Sequence, residues 1–410
     1  MRKTLLVIIA ILITSSSFGQ DIELGFWENI FTKKKTKLKF KQINHNIVIP
    51  ARVNDSDTLW FILDSGLGTS LITELTANDS LTIKYAKKIK LHGLGEGESL
   101  EAFSSHKNDI YIGDLHFENQ DINALLQDIF FLSKKAGTKI NGIIGSTVFE
   151  KYIVDIDYLN NEIDFIKPEY YEFKKKRKTI CLPLEFHNHK PYIRTWITDS
   201  KGKRTKVKLL VDTGASLALW LQENKDISIP DKNIYNIIGQ GLNGEIFGHI
   251  GRINSIEIGH FVLKQPIVNF PDTSAINMSL MGDHRNGSIG GDLLRRFFVT
   301  IDYPNKRICF RRNKHIRRPF KYNHSGLSIE TPYPGLKVFM ISEIMKDSPA
   351  EKAGLKVGDQ ILGLNKYMAQ HLTLKQIFNT LSSLKKKSIK VTILRDGKEM
   401  RFVIITKKMI

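Results

Sequence analysis

Cysteine, proline and long apolar runs are scarce in this chain of 410 residues. It contains 2 cysteines and 12 prolines, which excludes both a small disulfide-built scaffold and a proline-rich or collagen-like chain. The apolar run at residues 5–13 is shorter than the roughly 20 residues of a membrane-spanning helix, and a polytopic membrane protein is excluded. Acidic residues are also few, 42 against 61 basic ones. The length favours two or three domains, because single cores stop growing at about 250–300 residues.

The N-terminus has the pattern of an export signal. Arg2 and Lys3 precede the apolar run Leu5–Ile13, and Ser17 and Gly19 stand at the −3 and −1 positions of a cleavage site. We therefore expect residues 1–19 to be a signal peptide and the mature protein to be exported, either to a periplasm or to the extracellular space or cell surface. A membrane anchor is the alternative, which the short run disfavours.

The two cysteines of the chain allow at most one disulfide. Cys181 and Cys309 can form a single bridge within one segment of the chain, or remain as two buried free thiols. The sequence does not decide between these alternatives.

Much of the positive charge lies in three clusters. Runs of like charge repel one another and favour solvated linkers, so the clusters predict domain boundaries. Nucleic acid is disfavoured as a partner because the clusters lack interleaved aromatic residues. Binding to an anionic membrane surface or cell-wall polymer is favoured over nucleic acid, but less than a linker role. The clusters are residues 33–35, 174–178 and 311–321, and the predicted domains are 20–173, 174–318 and 322–410.

An internal duplication determines the predicted architecture. FILDSGLGTSLIT, at Phe61–Thr73, recurs as LLVDTGASLALWL at Leu209–Leu221, at an offset of 148 positions from Asp64 to Asp212. Residues 141–165 recur in the same way at residues 286–310. In each copy an apolar strand ends at Asp-(Ser/Thr)-Gly, and a later short apolar stretch runs into glycine. Two blocks in the same order indicate a duplicated unit.

A glycine-rich segment lies between the two blocks of each copy. Alternating apolar residues flank both segments, which predicts two mobile hairpins. The second segment matches the dinucleotide-binding pattern G-x-G-x-x-G, but no helix follows it and no βαβ unit surrounds it, so that function is rejected. The glycines of these hairpins are Gly93, Gly95 and Gly97 in the first copy and Gly239, Gly241 and Gly244 in the second, and the resemblance described next assigns them to flaps.

These features resemble the aspartic proteases of the retropepsin and pepsin clan, over residues 40–312. The resemblance implies a mainly β, bilobal fold with two homologous β-barrel lobes, and a hydrolase that needs neither metal nor cofactor. Two flaps suggest a fused retropepsin dimer. Because both aspartates lie in one chain, we expect an intramolecular site.

The duplicated aspartates have the chemistry of a shared-proton pair. Asp64 and Asp212, held close together, cannot both ionise easily, so one can act as general base while the other acts as general acid. The resemblance assigns the scaffold of this pair to Ser65 and Thr213, through hydrogen bonds across the lobes, and to Gly66 and Gly214, which let the backbone turn sharply. A single Asp-Ser-Gly can be an ordinary turn, but the duplication favours the pair.

Two departures from the family follow the triplets. Leu67 and Ala215 stand where many members have Ser or Thr. Neither side chain can donate a hydrogen bond to an ionised carboxylate, and Leu67 can desolvate Asp64. Both effects raise the proton affinity of the pair, which predicts activity at weakly acidic to neutral pH.

The C-terminal segment resembles a bacterial PDZ domain, a small α+β module. Ser348 is predicted to cap a short helix that Gly354 ends, before a strand at Gln360–Leu364, and Thr373–Leu384 to form an amphipathic helix. The resemblance assigns binding of a peptide C-terminal carboxylate to Gly326, Leu327, Ser328 and Ile329, with Ser328 replacing a glycine. From Phe320 onward, 16 basic residues against 7 acidic ones favour an acidic or carboxylate-terminated peptide.

The sequence therefore predicts an exported aspartic endopeptidase that acts on proteins or peptides and carries a PDZ domain that recruits or regulates substrate. The alternative is a catalytically silent protein that binds peptides in the same cleft and groove. His187 and His189 are predicted to share one face of a strand, but no further ligands stand at metal spacing, so a zinc site is rejected.

Overall fold

The computed structural model describes residues 34–76, 79–95, 97–174, 176–274, 285–385 and 387–410. The predicted signal peptide, residues 1–19, lies outside these ranges. Within them, no helix is both long and apolar enough to cross a membrane. The boundaries of the three predicted domains stay predictions.

Strands are the most common regular element of the described chain, and the helices are short. The strands of the first repeat are β1 (Lys35–Lys39), β2 (Lys41–Ile43), β3 (Asn46–Val53), β4 (Leu59–Leu63), β5 (Ser70–Ile72), β6 (Lys87–Leu91), β7 (Leu100–Ile112), β8 (Leu115–Leu125), β9 (Gly142–Ile144), β10 (Ile153–Asp157) and β11 (Glu162–Ile166). Its helices are α1 (Leu132–Ala136) and α2 (Thr147–Lys151), with a 3-10 turn at Pro168–Tyr170.

The second repeat follows the same order. Its strands are β12 (Thr179–Pro183), β13 (Glu185–His187), β14 (Lys190–Thr198), β15 (Arg204–Val211), β16 (Leu219–Leu221), β17 (Asn233–Gly241), β18 (Gly244–Arg252), β19 (Ser255–Ile258), β20 (Phe261–Lys264), β21 (Ile267–Pro271), β22 (Gly287–Ile289), β23 (Phe297–Asp302) and β24 (Arg307–Arg312), with helix α3 (Gly291–Leu294).

The two lobes have corresponding sheets. The first has the strand order β2-β3-β4-β9-β5-β8-β7-β6, and an additional pairing of β3 with β7 closes it on itself. The second contains the same path, β14-β15-β22-β16-β21-β18, with further strands at both ends. In each lobe the strand before the aspartate runs parallel to the short strand that ends at the later glycine. The mainly β, bilobal architecture predicted from the duplication is confirmed.

A third sheet joins the lobes. Its order is β1-β11-β10-β23-β24-β12, with three strands from each repeat. At its centre β10 and β23 are antiparallel, with Val154 opposite Ile301, which relates the two repeats by an approximate two-fold axis. One apolar core runs from the first lobe through this sheet into the second, so the lobes share their hydrophobic stabilisation.

The cysteines are bonded to each other. Cys181 lies in β12 directly opposite Cys309 in the neighbouring strand β24, and a disulfide joins them across a sequence separation of 128 residues. The structure thus decides between the bridge and the free thiols, and it places the bridge at the edge of the sheet that joins the lobes.

The C-terminal module has its own core and the predicted α+β form. Ser348 caps its first helix, accepting a hydrogen bond from the amide of Glu351, and Gly354 has a left-handed φ of 86°. Its elements are β25 (Leu327–Glu330), β26 (Phe339–Ile344), α4 (Pro349–Lys352), β27 (Gln360–Leu364), β28 (Tyr367–Met368), a 3-10 turn (Ala369–His371), α5 (Leu374–Leu381), β29 (Ser388–Arg395) and β30 (Lys398–Ile405).

One local prediction was wrong. His187 and His189 do not share a strand face, because β13 ends at His187 and Asn188 and His189 form the turn into β14 with φ values of 48° and 62°. Asn tolerates this left-handed region better than most residues, and the alternation in the sequence did not reveal the turn.

The disulfide gives the first testable prediction. Replacing both Cys181 and Cys309 by Ala should lower the free energy of unfolding by about 2–5 kcal/mol, because a long closed loop is lost from the unfolded chain. Urea denaturation with and without reductant measures this. The reduced wild type should approach the double variant, and an unfolding midpoint that does not change with reductant would contradict the prediction.

Candidate active site

The two duplicated triplets of the sequence meet at the interface between the lobes. Asp64 follows β4 and its amide donates to the carbonyl of Ile144 at 2.9 Å, while Asp212 follows β15 and donates to Ile289 at 3.0 Å. The same bond in both copies fixes each aspartate against its parallel neighbour strand. The two carboxyl groups lie within hydrogen-bonding reach of each other.

Below the carboxyl groups, reciprocal hydrogen bonds join the lobes. The Thr213 hydroxyl accepts from the amide of Ser65 at 3.0 Å and donates to the carbonyl of Leu63 at 2.8 Å. The Ser65 hydroxyl accepts from the amide of Thr213 at 3.2 Å and donates to the carbonyl of Val211 at 2.7 Å. Both side chains are buried, so these four bonds fix the distance between the two triplets.

The other lobe comes close to the glycine after each hydroxyl residue, leaving no room for a Cβ atom at Gly214 and only tight room at Gly66. A Cβ atom on Gly214 would lie 2.3 Å from Cγ of Asp64, and one on Gly66 would lie 3.2 Å from Cγ of Asp212. Neither glycine has a left-handed φ. Steric room for the two carboxyl groups therefore explains these glycines, in place of the sharp turn expected from the sequence.

Burial changes the acidity of the two carboxyl groups unequally. It is the main cause that raises the pKa of Asp64 well above its usual range, and the charge of Asp212 adds to that rise. Burial also raises the pKa of Asp212, but amide hydrogen bonds from Ala215 at 2.8 Å and Gly214 at 3.1 Å act against it. An amide hydrogen bond from Gly66 at 2.6 Å likewise acts against the rise at Asp64, so the pair as a whole binds a proton more tightly than two exposed carboxyl groups.

Two cations near the pair were not predicted from the sequence. The charge of Lys190 lowers the pKa of Asp64, and that of Arg285 lowers the pKa of Asp212, although both effects are smaller than that of burial. Burial, followed by repulsion from Arg285, lowers the pKa of Lys190 itself.

The cations break the symmetry of the duplication. Lys190 begins β14 as Asn46 begins β3, and Arg285 precedes Asn286 as Ile140 precedes Asn141. The matching is structural, since Asn141 and Asn286 accept the same hydrogen bond, each from an amide of the strand that leads to its lobe's aspartate. Basic residues at positions that are uncharged in the other copy were a signal available in the sequence.

Hairpin turns also cross between the lobes. His45, in the turn before β3, lies with its Nδ1 3.0 Å from the carbonyl of Ser216 in the second lobe. Its counterpart His189 lies with Nδ1 3.3 Å from the carboxylate of Glu150 in the first lobe. The repeated Asn-His dipeptide is a third duplicated block that the sequence comparison missed.

The two glycine-rich hairpins meet tip to tip. Asn243 makes most of the contact: its amide donates to the carbonyl of Leu94 at 2.9 Å, and its side chain accepts from the amide of Gly93 at 2.7 Å and donates to the carbonyl of Gly97 at 3.1 Å. The Gly97 amide donates to the Asn243 carbonyl. Gly95 and Gly244 have left-handed φ values of 110° and 112°.

The flap glycines differ in what surrounds them. A Cβ atom on Gly241 would lie 2.0 Å from the carbonyl oxygen of Leu94 in the opposite flap. One on Gly239 would meet only Trp220 and Ile246, at ordinary distances of 3.7 and 3.9 Å. Close approach of the two backbones therefore requires Gly241, whereas Gly239 has room for a side chain.

The predicted carboxylate-binding loop lies at the start of β25. Gly326 has a φ of 80°, and a Cβ atom on it would lie 2.2 Å from that of Ser348. The Ser328 hydroxyl donates to the carboxylate of Glu343 at 3.2 Å. Leu327 is buried in the core of the module and Ile329 packs against it.

Comparison with known proteins agrees with this geometry. Residues 49–148 and 197–293 each match the family model described as aspartyl protease, and residues 315–394 match that of the PDZ domain. The chain thus contains two aspartyl protease-like domains and a PDZ domain, and the predicted resemblance to both families is confirmed.

Solved structures also match the chain, and one example is an aspartic proteinase. The aspartic proteinase from Irpex lacteus has 13% sequence identity and a TM-score of 0.45, over 69% of this chain and 99% of that one. No curated protein matches the chain.

The flap contact gives the second prediction. Gly241→Ala should separate the two tips and speed hydrogen–deuterium exchange in residues 91–95 and 241–245, because the methyl group and the Leu94 carbonyl cannot occupy one place. Gly239→Ala, in the same hairpin, is the matched control and should exchange like the wild type. Equal exchange in all three proteins would show that the tips are not held together in solution.

Proposed function

We propose that this protein is an exported aspartic endopeptidase. The observation that carries the proposal is the pair of partly exposed carboxyl groups, Asp64 and Asp212, above cross-lobe hydrogen bonds. Amides of Gly214 and Ala215 donate to Asp212, and the amide of Gly66 donates to Asp64, so we assign the carboxylate to Asp212. Unequal environments around two adjacent carboxyl groups assign one as acid and the other as base.

The reaction follows from this assignment. Asp212, as carboxylate, removes a proton from water while the water oxygen bonds to the peptide carbonyl carbon. Asp64 gives its proton to the carbonyl oxygen, which produces a neutral tetrahedral diol. Asp212 then passes its proton to the amide nitrogen, Asp64 takes one back from a diol hydroxyl, and the C–N bond breaks. The pair ends with one proton, as it began.

Other parts of the chain have supporting roles in this proposal. The flaps, with their glycines, cover the bound peptide and exclude bulk water. The site is intramolecular because one chain supplies both aspartates. Export is supported by the N-terminal signal pattern and by the Cys181–Cys309 disulfide, since disulfides persist mainly outside the reducing cytoplasm.

The proposal predicts the effect of removing either carboxylate. Asp64→Asn and Asp212→Asn should each abolish cleavage of a quenched-fluorescence peptide library, and the double variant should resemble either single one, because the two groups act as a unit. Circular dichroism checks that the variants fold. Substantial activity in a purified single variant would refute the pair, and peptide binding without turnover in the wild type would favour the catalytically silent alternative.

Raised pKa values predict the pH dependence. The working state needs Asp64 protonated and Asp212 ionised, so raising both pKa values moves the alkaline and acidic limbs of the kcat/KM profile upward. We expect an optimum at weakly acidic to neutral pH. Arg285→Met should move the acidic limb further up, because the positive charge that lowers the pKa of Asp212 is lost.

The matched control for this charge is Lys206→Met, at an exposed position of the same lobe. It should leave both limbs in place. A strongly acidic optimum in the wild type, or a downward shift in Arg285→Met, would mean that other groups set the proton affinity of the pair.

A further inference from the structure

The peptide groove of the C-terminal module lies between β25 and α5. β25 is paired on one side only, with β26, so its other edge is open. A peptide bound by strand addition would use the backbone groups of this edge and pack side chains against the helix. Its carboxylate would lie at Gly326–Ile329, and the preceding residues would run toward Thr331 and the start of α5.

A segment of the first lobe contacts the chain directly after β25, at the end of the groove away from Gly326–Ile329. The carbonyl of Lys134, in α1, accepts from the amide of Thr331 at 2.9 Å and from its hydroxyl at 3.0 Å. The carbonyl of Gly137 accepts from the amide of Gly335 at 3.2 Å. Thr331 is only 1% exposed, so its donors are closed to any other chain while this contact holds.

The same segment touches the opposite wall of the groove. A Cβ atom on Gly137 would lie 2.9 Å from Cδ1 of Leu374, the first residue of α5, and 3.4 Å from Oγ1 of Thr331. Gly137 therefore fits between helix and strand, where a bound peptide would have its own backbone. Its φ of 70° also favours glycine here.

A second contact links the carboxylate-binding loop to a flap. Glu343, on β26, accepts from Ser328 in that loop at 3.2 Å and from the side chain of Asn236 at 3.1 Å. Asn236 belongs to β17, one strand of the second flap hairpin. A ligand carboxylate next to Ser328 would repel the carboxylate of Glu343 and weaken its bond to the flap.

We propose that residues 134–137 act as an internal stand-in for a PDZ ligand, and that a peptide with a free C-terminal carboxylate displaces them. The module is then a docked regulator of the Asp64/Asp212 cleft, and this regulatory part rests on the proposed function. The occupant expected from the chemistry is an acidic peptide with an apolar last residue, because the module is basic and Phe378 of α5 is 40% exposed.

Packing contacts connect residues 134–137 to the aspartates, so their displacement would reach the site. Leu132 and Ala136 of α1 pack against Val48, Ile62 and Ile140. Ile140 lies two residues before β9, whose last residue, Ile144, accepts the hydrogen bond from the amide of Asp64. Movement of α1 therefore changes the packing beside the strand that positions one carboxyl group, while loss of the Glu343 bond changes the other lobe's flap.

A binding experiment on the full-length chain tests the proposal. The probe is a dye-labelled hexapeptide with three glutamates and a C-terminal valine carboxylate, with its amidated form as the negative control, and all proteins carry Asp212→Asn to prevent cleavage. Gly137→Ala should tighten binding at least about fivefold, the change that roughly 1 kcal/mol produces, because the added methyl group clashes with Leu374 and expels the segment. Thr331→Val should act in the same direction but less.

The matched control is Gly397→Ala, in the turn between β29 and β30. Gly397 has a φ of 74°, close to that of Gly137, but no atom lies within 4 Å of the position of its Cβ. The Gly397→Ala variant has the same backbone strain without the clash, so it should bind the probe with the affinity of the parent protein. Equal affinities in Gly137→Ala and Gly397→Ala would overturn the proposal, as would failure of every protein to bind the carboxylate probe at millimolar concentration.

Hydrogen–deuterium exchange supplies the second readout. A saturating probe should speed exchange in residues 132–137 and in β17, and unchanged or slower exchange in residues 132–137 would show that the peptide does not displace the segment. Neither measurement needs turnover. A wild type that binds as predicted but cleaves no peptide would refute the proposed function and leave the internal ligand standing.

Discussion

The structure depends on holding two carboxyl groups together from opposite lobes. Two adjacent carboxyls resist ionisation and, if both are charged, repel each other, so something else must fix their separation. The buried hydroxyls of Ser65 and Thr213 do this, each bonded to two backbone groups of the other lobe. The sheet centred on β10 and β23, and the core that passes through it, hold the lobes in the one arrangement in which these bonds form.

The scaffold is symmetric because the two lobes are copies of one unit. A shared-proton pair, however, needs different surroundings at its two carboxyl groups, so that one acts as acid and the other as base. The backbone environments of Asp64 and Asp212 correspond, down to the amide bonds to Ile144 and Ile289. Their electrostatic surroundings differ, since two amides, from Gly214 and Ala215, donate to Asp212, whereas the amide of Gly66 donates to Asp64. The two copies therefore share one fold but stabilise a charged carboxylate differently.

What the sequence predicted, and what it did not, follows from how local each feature is. The duplicated triplets, Ser348 as a cap and the strand Gln360–Leu364 are encoded within a few residues, and they were predictable from pattern alone. The positions of Lys190 and Arg285 beside the pair arise from pairings far apart in the chain, so spacing could not place them. The prediction for His187–His189 was wrong because three residues are too few to tell the two-residue alternation of a strand from a tight turn that contains Asn.

The sequence pattern does not predict where the C-terminal module docks. Its internal elements could be anticipated, but the carbonyl of Lys134 that meets Thr331 is a backbone group, which every residue has. No side-chain signal marks the contact except Gly137, whose missing Cβ makes room for Leu374. The module that the sequence predicts to recruit or regulate substrate is held against both lobes in the structure, through α1 on one side and Asn236 on the other. One contact ends beside the strand that positions Asp64 and the other on a flap strand, which is why the proposed displacement would act on both lobes.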